Sequence, residues 1–174
     1  DLFCESVMEY KLKVTALYNC AIERAFKTPM LVDVAKVHTG YGLMPKITHC
    51  TEDKHWGQIC STKKVFAAPS WSQKGGYVSK DHVLEREENQ YWRIKVDDFQ
   101  SWMLGFYEFE GVWKTIPIQQ DLIQIEYTYI LKAKGIVLAP LQWLFAKIFW
   151  KRYMNHVLKN IEKLIEQEEP YKYN

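Results

Sequence analysis

PLQWLFAKIFWKRYMNHVLKNIEKLIEQE, residues 140–168, is the longest run of helical periodicity in the chain. Apolar residues recur at Leu141, Leu144, Phe145, Ile148, Tyr153, Met154, Val157, Leu158, Ile161, Leu164 and Ile165. That is the spacing of a helix with one buried stripe. Lys147, Lys151, Asn155, Lys159, Glu162, Lys163 and Glu166 fall on its polar face. At 1.5 Å per residue the helix is roughly 40 Å long, enough to cross a small domain. Its first half is apolar almost all round, because Trp143, Ala146, Phe149 and Trp150 join the stripe. Such a helix needs a large concave surface to lie in, which the rest of the chain has to supply.

The preceding residues read as that surface. Residues 8–18 alternate as a strand, with Tyr10, Leu12, Val14 and Ala16 on one face and Lys11, Lys13 and Thr15 on the other. Asn19 is a candidate cap for a short helix, AIERAFKT, that Pro29 ends or redirects. A second helical piece follows over 30–38, broken by Gly40, Gly42 and Pro45. Strands are then expected over 46–51, 56–67, 77–87, 91–96, 102–114 and 122–134. PSWSQKGG, residues 69–76, is turn chemistry for a hairpin. Consecutive strands joined by short turns imply an antiparallel meander, and a strongly twisted meander curls into a groove. On the strand over 122–134 the concave face carries Ile123, Ile125, Tyr127, Tyr129 and Leu131. On the strand before it, Met103, Tyr107, Phe109 and Trp113 share a face with Gly105 and Gly111, which are candidate bend points.

Composition bounds the function. A chain of 174 residues is read as one domain spanning 1–174, with its core over about 8–168. A net charge of +2 provides no global field to attract nucleic acid or an acidic membrane, and no nucleic-acid-binding signature occurs. Cys4, Cys20, Cys50 and Cys60 form no CxxC pair, and no signal peptide is visible, so reduced thiols and a cytoplasmic setting are expected. The chain begins at Asp1 rather than Met, which leaves room for an upstream segment. The apolar run over 136–150 is too short to span a bilayer and is interrupted by Pro140, Gln142 and Lys147. An interfacial helix remains open for it, since its aromatics are flanked by Lys147, Lys151 and Arg152.

The element order resembles the START-like, or helix-grip, superfamily (SRPBCC), and is closest in character to its polyketide cyclase/dehydrase-like members. The local matches are WGQICSTKKV (residues 56–65), VLEREENQYWRIKV (83–96) and the long helix after LAP (138–140). Where members carry a glycine before a Ser-Thr pair, this chain has Cys60 before Ser61 and Thr62. The glycine-rich loop is reduced to Gly75 and Gly76, and Gln120, Asp121 and Leu122 stand where a Gly-Thr-Arg-Val motif is common. The resemblance implies an α+β helix-grip fold: a strongly curved antiparallel sheet of about six to seven strands wrapped around the C-terminal helix, with two short helices after strand 1. It also implies a cavity between sheet and helix that holds an apolar small molecule, such as a lipid, polyketide or aromatic.

Three functions are compatible with this reading. The first is binding, sequestration or transport of that molecule, with Met103, Tyr107, Phe109, Trp113, Ile125, Tyr127, Tyr129, Leu141, Leu144, Phe145 and Ile148 as ligand-binding residues. The second is a cyclase/aromatase- or dehydratase-like enzyme, which needs two polar side chains in the groove, such as His82 or Arg93 with Tyr107 or Tyr127. Glu85, Arg86, Glu108 and Glu110 read as solvated strand faces, so no catalytic residue is assigned. The third is a membrane surface or protein contact through 143–150, where an exposed apolar patch could equally be a homodimer face. His38, His49, Cys50 and His55 lie close in sequence but match no zinc spacing, so no metal and no cofactor is expected.

Overall fold

The computed structural model describes residues 6–52 and 54–173; Cys4 lies outside them. β1 (Val7–Asn19) and β7 (Leu122–Lys134) pair antiparallel over their full length, with Val7 opposite Lys134 and Asn19 opposite Leu122. Between them in sequence come α1 (Ile22–Leu31), α2 (Val34–Val37), β2 (Ile47–Glu52), β3 (Thr62–Ala67), β4 (Gly76–Glu87), β5 (Tyr91–Asp97) and β6 (Phe106–Gln119). The seven strands form one antiparallel sheet in the order β1-β7-β6-β5-β4-β3-β2. This is the expected α+β helix-grip architecture, with two short helices between β1 and β2.

Several local expectations are revised. α1 runs through Pro29, and Ala21, not Asn19, sits at its N-cap position without a side-chain bond. The helix expected over 30–38 shrinks to the single turn of α2, because Val32 is extended; Asp33 caps that turn by accepting from Ala35 N. The strand expected from residue 56 begins only at Thr62, after a series of turns. One of them puts Cys60 at φ +70°, a left-handed conformation that glycine adopts without steric cost. β6 starts at Phe106 and continues through Pro117. Gly105 does sit at a bend, where φ is +85° and an added Cβ would come within 2.4 Å of Lys134 O. Gly111 lies in unbroken register opposite Tyr129, and its missing side chain makes room for the Tyr127 hydroxyl and the Tyr129 ring.

The C-terminal helix is wound in three ways. A 3-10 turn (Ile136–Leu138) leads into α3 (Ala139–Leu144), a π-helical turn (Phe145–Trp150) follows, and α4 (Lys151–Glu166) completes it. α4 buries Tyr153, Met154, Val157, Leu158, Ile161, Leu164 and Ile165, the stripe read from the sequence. Upstream the buried positions are Gln142, Ala146 and Trp150, four residues apart. Steps of four drift around an α-helix of 3.6 residues per turn, and the wider π winding takes out that drift.

Gln142 locks this helix to the sheet. Its side chain is completely buried. Its Oε1 accepts from the Tyr10 hydroxyl at 2.8 Å, while Nε2 donates to Leu104 O at 2.9 Å and Lys134 O at 2.8 Å. One amide therefore joins β1, the β5–β6 loop, the end of β7 and α3. At the far end, the Tyr18 hydroxyl donates to Leu158 O at 2.7 Å and Asn160 Nδ2 donates to Val37 O at 2.9 Å.

Gln142→Leu keeps the volume but leaves two carbonyls and one hydroxyl without their partner. An unmade buried hydrogen bond costs about 1–3 kcal/mol. The variant is expected to lose about 2–4 kcal/mol, seen in thermal unfolding as a Tm lower by roughly 5–15 °C. Trp143→Gln, exposed one position on, is expected to stay within about 0.5 kcal/mol of the parent.

Candidate functional site

The helix does not lie flat on the sheet. Between the concave faces of β3–β7 and the first half of α4 there is a cavity of about 160 Å³. Its floor carries Val65, Ser79, Ile94, Val96, Phe109, Trp113, Tyr127 and Tyr129, and its roof Trp150, Tyr153, Met154, Val157 and Ile161. Met30, Val34, Val37 and His38 close one side. Residues from three loops, Pro45, Gln73, Ser101 and Met103, line the remainder. An apolar cavity of about 150 Å³ is large enough for benzene, whereas pockets for drug-sized ligands measure about 300–1,000 Å³.

Large rings hold the cavity open. Trp92 stacks on Trp113 with centroids 5.6 Å apart, and Tyr127 meets both edge-on. Trp150 reaches down from the helix to meet Phe109, Tyr129 and Tyr153 edge-on at 4.9, 5.5 and 5.2 Å. Rigid rings in T-shaped contact cannot collapse into a gap as flexible side chains do. The indole Nε1 atoms of Trp92, Trp113 and Trp150 are buried and have no hydrogen-bond partner in the protein. All three rings line the cavity.

Polar side chains enter the same space. Lys63 on β3 and Asp81 on β4 are opposite each other in register and form a buried ion pair at 3.8 Å. The Lys63 ammonium also sits over the Trp56 ring, 4.2 Å from its centroid. Burial raises the Asp81 pKa, against the lowering effect of Lys63. His38 Nδ1 and the Tyr153 hydroxyl share a 2.6 Å hydrogen bond. Burial, then the nearby charges of Lys63 and His156, push the His38 pKa down to about 4. The Tyr127 and Tyr129 hydroxyls are 2.7 Å apart, and burial raises the pKa of both.

Among the ligand-binding residues expected from sequence, Met103, Phe109, Trp113, Tyr127 and Tyr129 line the cavity. Ile125 is fully buried on the same face of β7 but away from the cavity. Tyr107 is turned outward, because a register shift between Phe106 and Glu108 makes it the extra residue of a bulge. On the helix, Leu141, Leu144 and Ile148 are exposed, and Phe145 packs on Phe106 and Phe149 outside the cavity. The changed winding places Gln142, Ala146 and Trp150 inward instead.

The polar candidates change places as well. His82 bonds Asp97 at 2.7 Å, and Arg93 faces Glu85 at 3.7 Å, both on the convex side. A register shift between Val83 and Glu85 separates Arg86 from His82 and brings it inward, where it donates to Gly57 O. Glu108 and Glu110 both hold Lys132 on the outer face. Sequence reading missed His38, Lys63 and Asp81. A signal existed for two of them: each is the lone charge at an inward position, Lys63 before Val65 and Ala67, and Asp81 between Ser79 and Val83. Among the described residues, no three His, Cys, Asp or Glu side chains gather as metal donors.

The His38 shift has a sign. Between pH about 6.5 and about 4 the unfolded chain takes up a proton that the folded His38 refuses. Stability should therefore fall as pH drops through that window, by roughly 2–4 kcal/mol from this residue. Urea unfolding of parent and His38→Asn across pH 4–7 is expected to show a shallower acid decline in the variant.

No protein-family model matches the sequence, and no curated protein matches it. Solved structures do. The crystal structure of Ara h 8.0201 aligns with a TM-score of 0.68 at 14% identity, covering 92% of this chain and 99% of that one. Norcoclaurine synthase from Thalictrum flavum, in complex with dopamine and hydroxybenzaldehyde, aligns with a TM-score of 0.65 at 10% identity, covering 95% and 91%. A Staphylococcus aureus protein of unknown function aligns with a TM-score of 0.70 at 7% identity, covering 93% and 96%. At such identities the likeness is one of fold, and that fold is the expected helix-grip fold.

Proposed function

We propose that this protein binds a small, mainly apolar molecule in the cavity between its sheet and its C-terminal helix. The observation that carries this reading is a ring-walled space of about 160 Å³ with the Lys63 ammonium and the Asp81 carboxyl in one wall. An acceptor oxygen on the ligand can pair with the Lys63 ammonium, which a pure hydrocarbon cannot, and a hydrogen bond to a charged group contributes about 1.5–3 kcal/mol. The volume favours a compact aromatic over a two-chain lipid. Norcoclaurine synthase, solved with two small compounds, provides a precedent for occupancy of this fold.

A second reading is acid–base catalysis on the bound molecule. It is favoured by Lys63 and Asp81, an ion pair buried in an otherwise apolar wall, with the His38–Tyr153 pair in the same cavity. Asp81 has a raised pKa, which suits a carboxyl group that exchanges a proton. A molecule recovered chemically altered after incubation would favour this reading over carriage.

Acetophenone and cumene have nearly the same shape, and only the first carries an acceptor oxygen. At about 100 times its Kd a ligand stabilises the folded state by about 2.7 kcal/mol, or roughly 5–10 °C in Tm for a chain of this size. Acetophenone is expected to raise Tm further than cumene at equal concentration, and Val96→Phe is expected to reduce both shifts. Equal shifts in parent and Val96→Phe would place binding elsewhere.

A further inference from the structure

In an antiparallel sheet of this order, the β3–β4 loop, the β5–β6 loop and the exit from β7 all lie at one end. The register confirms the placement: Ala67 pairs with Gly76, Lys80 with Asp97, and Phe106 with Ala133. Hydrogen bonds tie the loops together, from Gln142 to Leu104 O and Lys134 O, and from Gln100 N to Val78 O. The α2–β2 segment joins them, since Ser72 Oγ donates to Leu43 O.

The three most exposed large apolar side chains among the described residues are Val137 at 89%, Trp71 at 82% and Trp102 at 72%. Each occupies a different one of those three loops, spread over roughly 15 Å at the usual strand spacing. From Val137 the exposed surface continues along the helix as Leu141, Leu144 and Ile148. These positions are four, three and four residues apart and so form one outward stripe. It ends at Lys151 and Arg152, both exposed. The stripe explains why the first half of the helix reads as apolar all round: one side faces the sheet and the other faces out.

Charge at this end is mainly positive. Residues 135–152 contain no Asp or Glu, but do contain Lys147, Lys151 and Arg152. Lys46 and Lys74 stand exposed in the α2–β2 and β3–β4 segments, neither of which has an acid. In the β5–β6 loop, Asp98 is the acidic residue and accepts from the Tyr77 hydroxyl. Net charge is only +2, so the basic excess here is balanced elsewhere, by acids such as Glu108, Glu110 and Glu126 on the convex sheet face.

We propose that this end docks on an anionic lipid surface. Trp71 and Trp102 insert at the headgroup level, Val137 and the stripe reach the acyl boundary, and the lysines face the phosphates. Apolar loop tips ringed by cations match such a surface, whereas a second copy would set basic end against basic end. Among the described residues no helix is long and apolar enough to cross a membrane, so the contact is peripheral. The proposal is independent of what occupies the cavity.

The test is flotation of the whole protein with phosphatidylcholine vesicles, with and without phosphatidylserine. Binding is expected to phosphatidylserine-containing vesicles, with a blue shift of tryptophan emission. It should weaken towards 1 M salt, where the Debye length is about 3 Å. Trp71→Ala with Trp102→Ala is expected to weaken binding about tenfold or more. Lys74→Glu with Lys151→Glu is expected to remove the phosphatidylserine preference. All these positions are exposed, so unchanged Tm values keep the comparison free of folding effects. The proposal is overturned if the parent fails to float at low salt. Equal binding by the Trp variant also overturns it, as does a lipid-free dimer that the Trp variant dissociates.

Discussion

The buried amide of Gln142 is the fixed point of the molecule. A long amphipathic helix laid in a curled sheet can slide and rotate, because hydrophobic burial is non-directional. Hydrogen bonds to Tyr10, Leu104 and Lys134 remove that freedom by tying the helix to three parts of the chain at one depth. The bonds of Tyr18 and Asn160 fix the other end. With both ends held, the middle stands off the sheet on the rings of Trp150 and Tyr153, and the cavity is the gap under them.

That arrangement divides the chemistry. The wall formed by β6, β7 and the helix is aromatic, and the tyrosines Tyr127, Tyr129 and Tyr153 bring its hydroxyls. The wall formed by β3, β4 and α2 carries the titratable groups Lys63, Asp81 and His38. A molecule in the cavity meets ring faces on one side and charge on the other, an asymmetry that would orient it. Outside, the convex strands are laced with opposite charges, while the loop end is basic and apolar.

Much of the architecture could be read from residue order, because period-2 and period-3.6 alternation follow directly from backbone geometry. β7 was bounded correctly at Leu122 and Lys134, and the stripe from Tyr153 to Ile165 is the stripe that is buried. Alternation alone places Phe109, Trp113, Tyr127 and Tyr129 on the concave face, and they line the cavity; Met103 lines it too, but from the β5–β6 loop rather than from a strand. Cys60 stood out as a substitute for glycine, and it occupies a left-handed backbone position.

Single-residue changes of phase were not legible. One bulge turns Tyr107 out, another turns Arg86 in, and a π-helical turn exchanges Leu141, Leu144 and Ile148 for Gln142, Ala146 and Trp150. A bulge or a π turn is a compromise between two packed elements, and neither partner's sequence specifies it alone. The pairing of Lys63 with Asp81, and of His38 with Tyr153 across 115 positions, likewise exists only after strands register and the helix docks. By itself the sequence determined which elements form, in what order, and which face of most of them is apolar, since these depend on local geometry. Tertiary structure alone decided where the helix stands off the sheet, which polar groups enter the gap and which apolar side chains stay outside, since those depend on distances between segments remote in the chain.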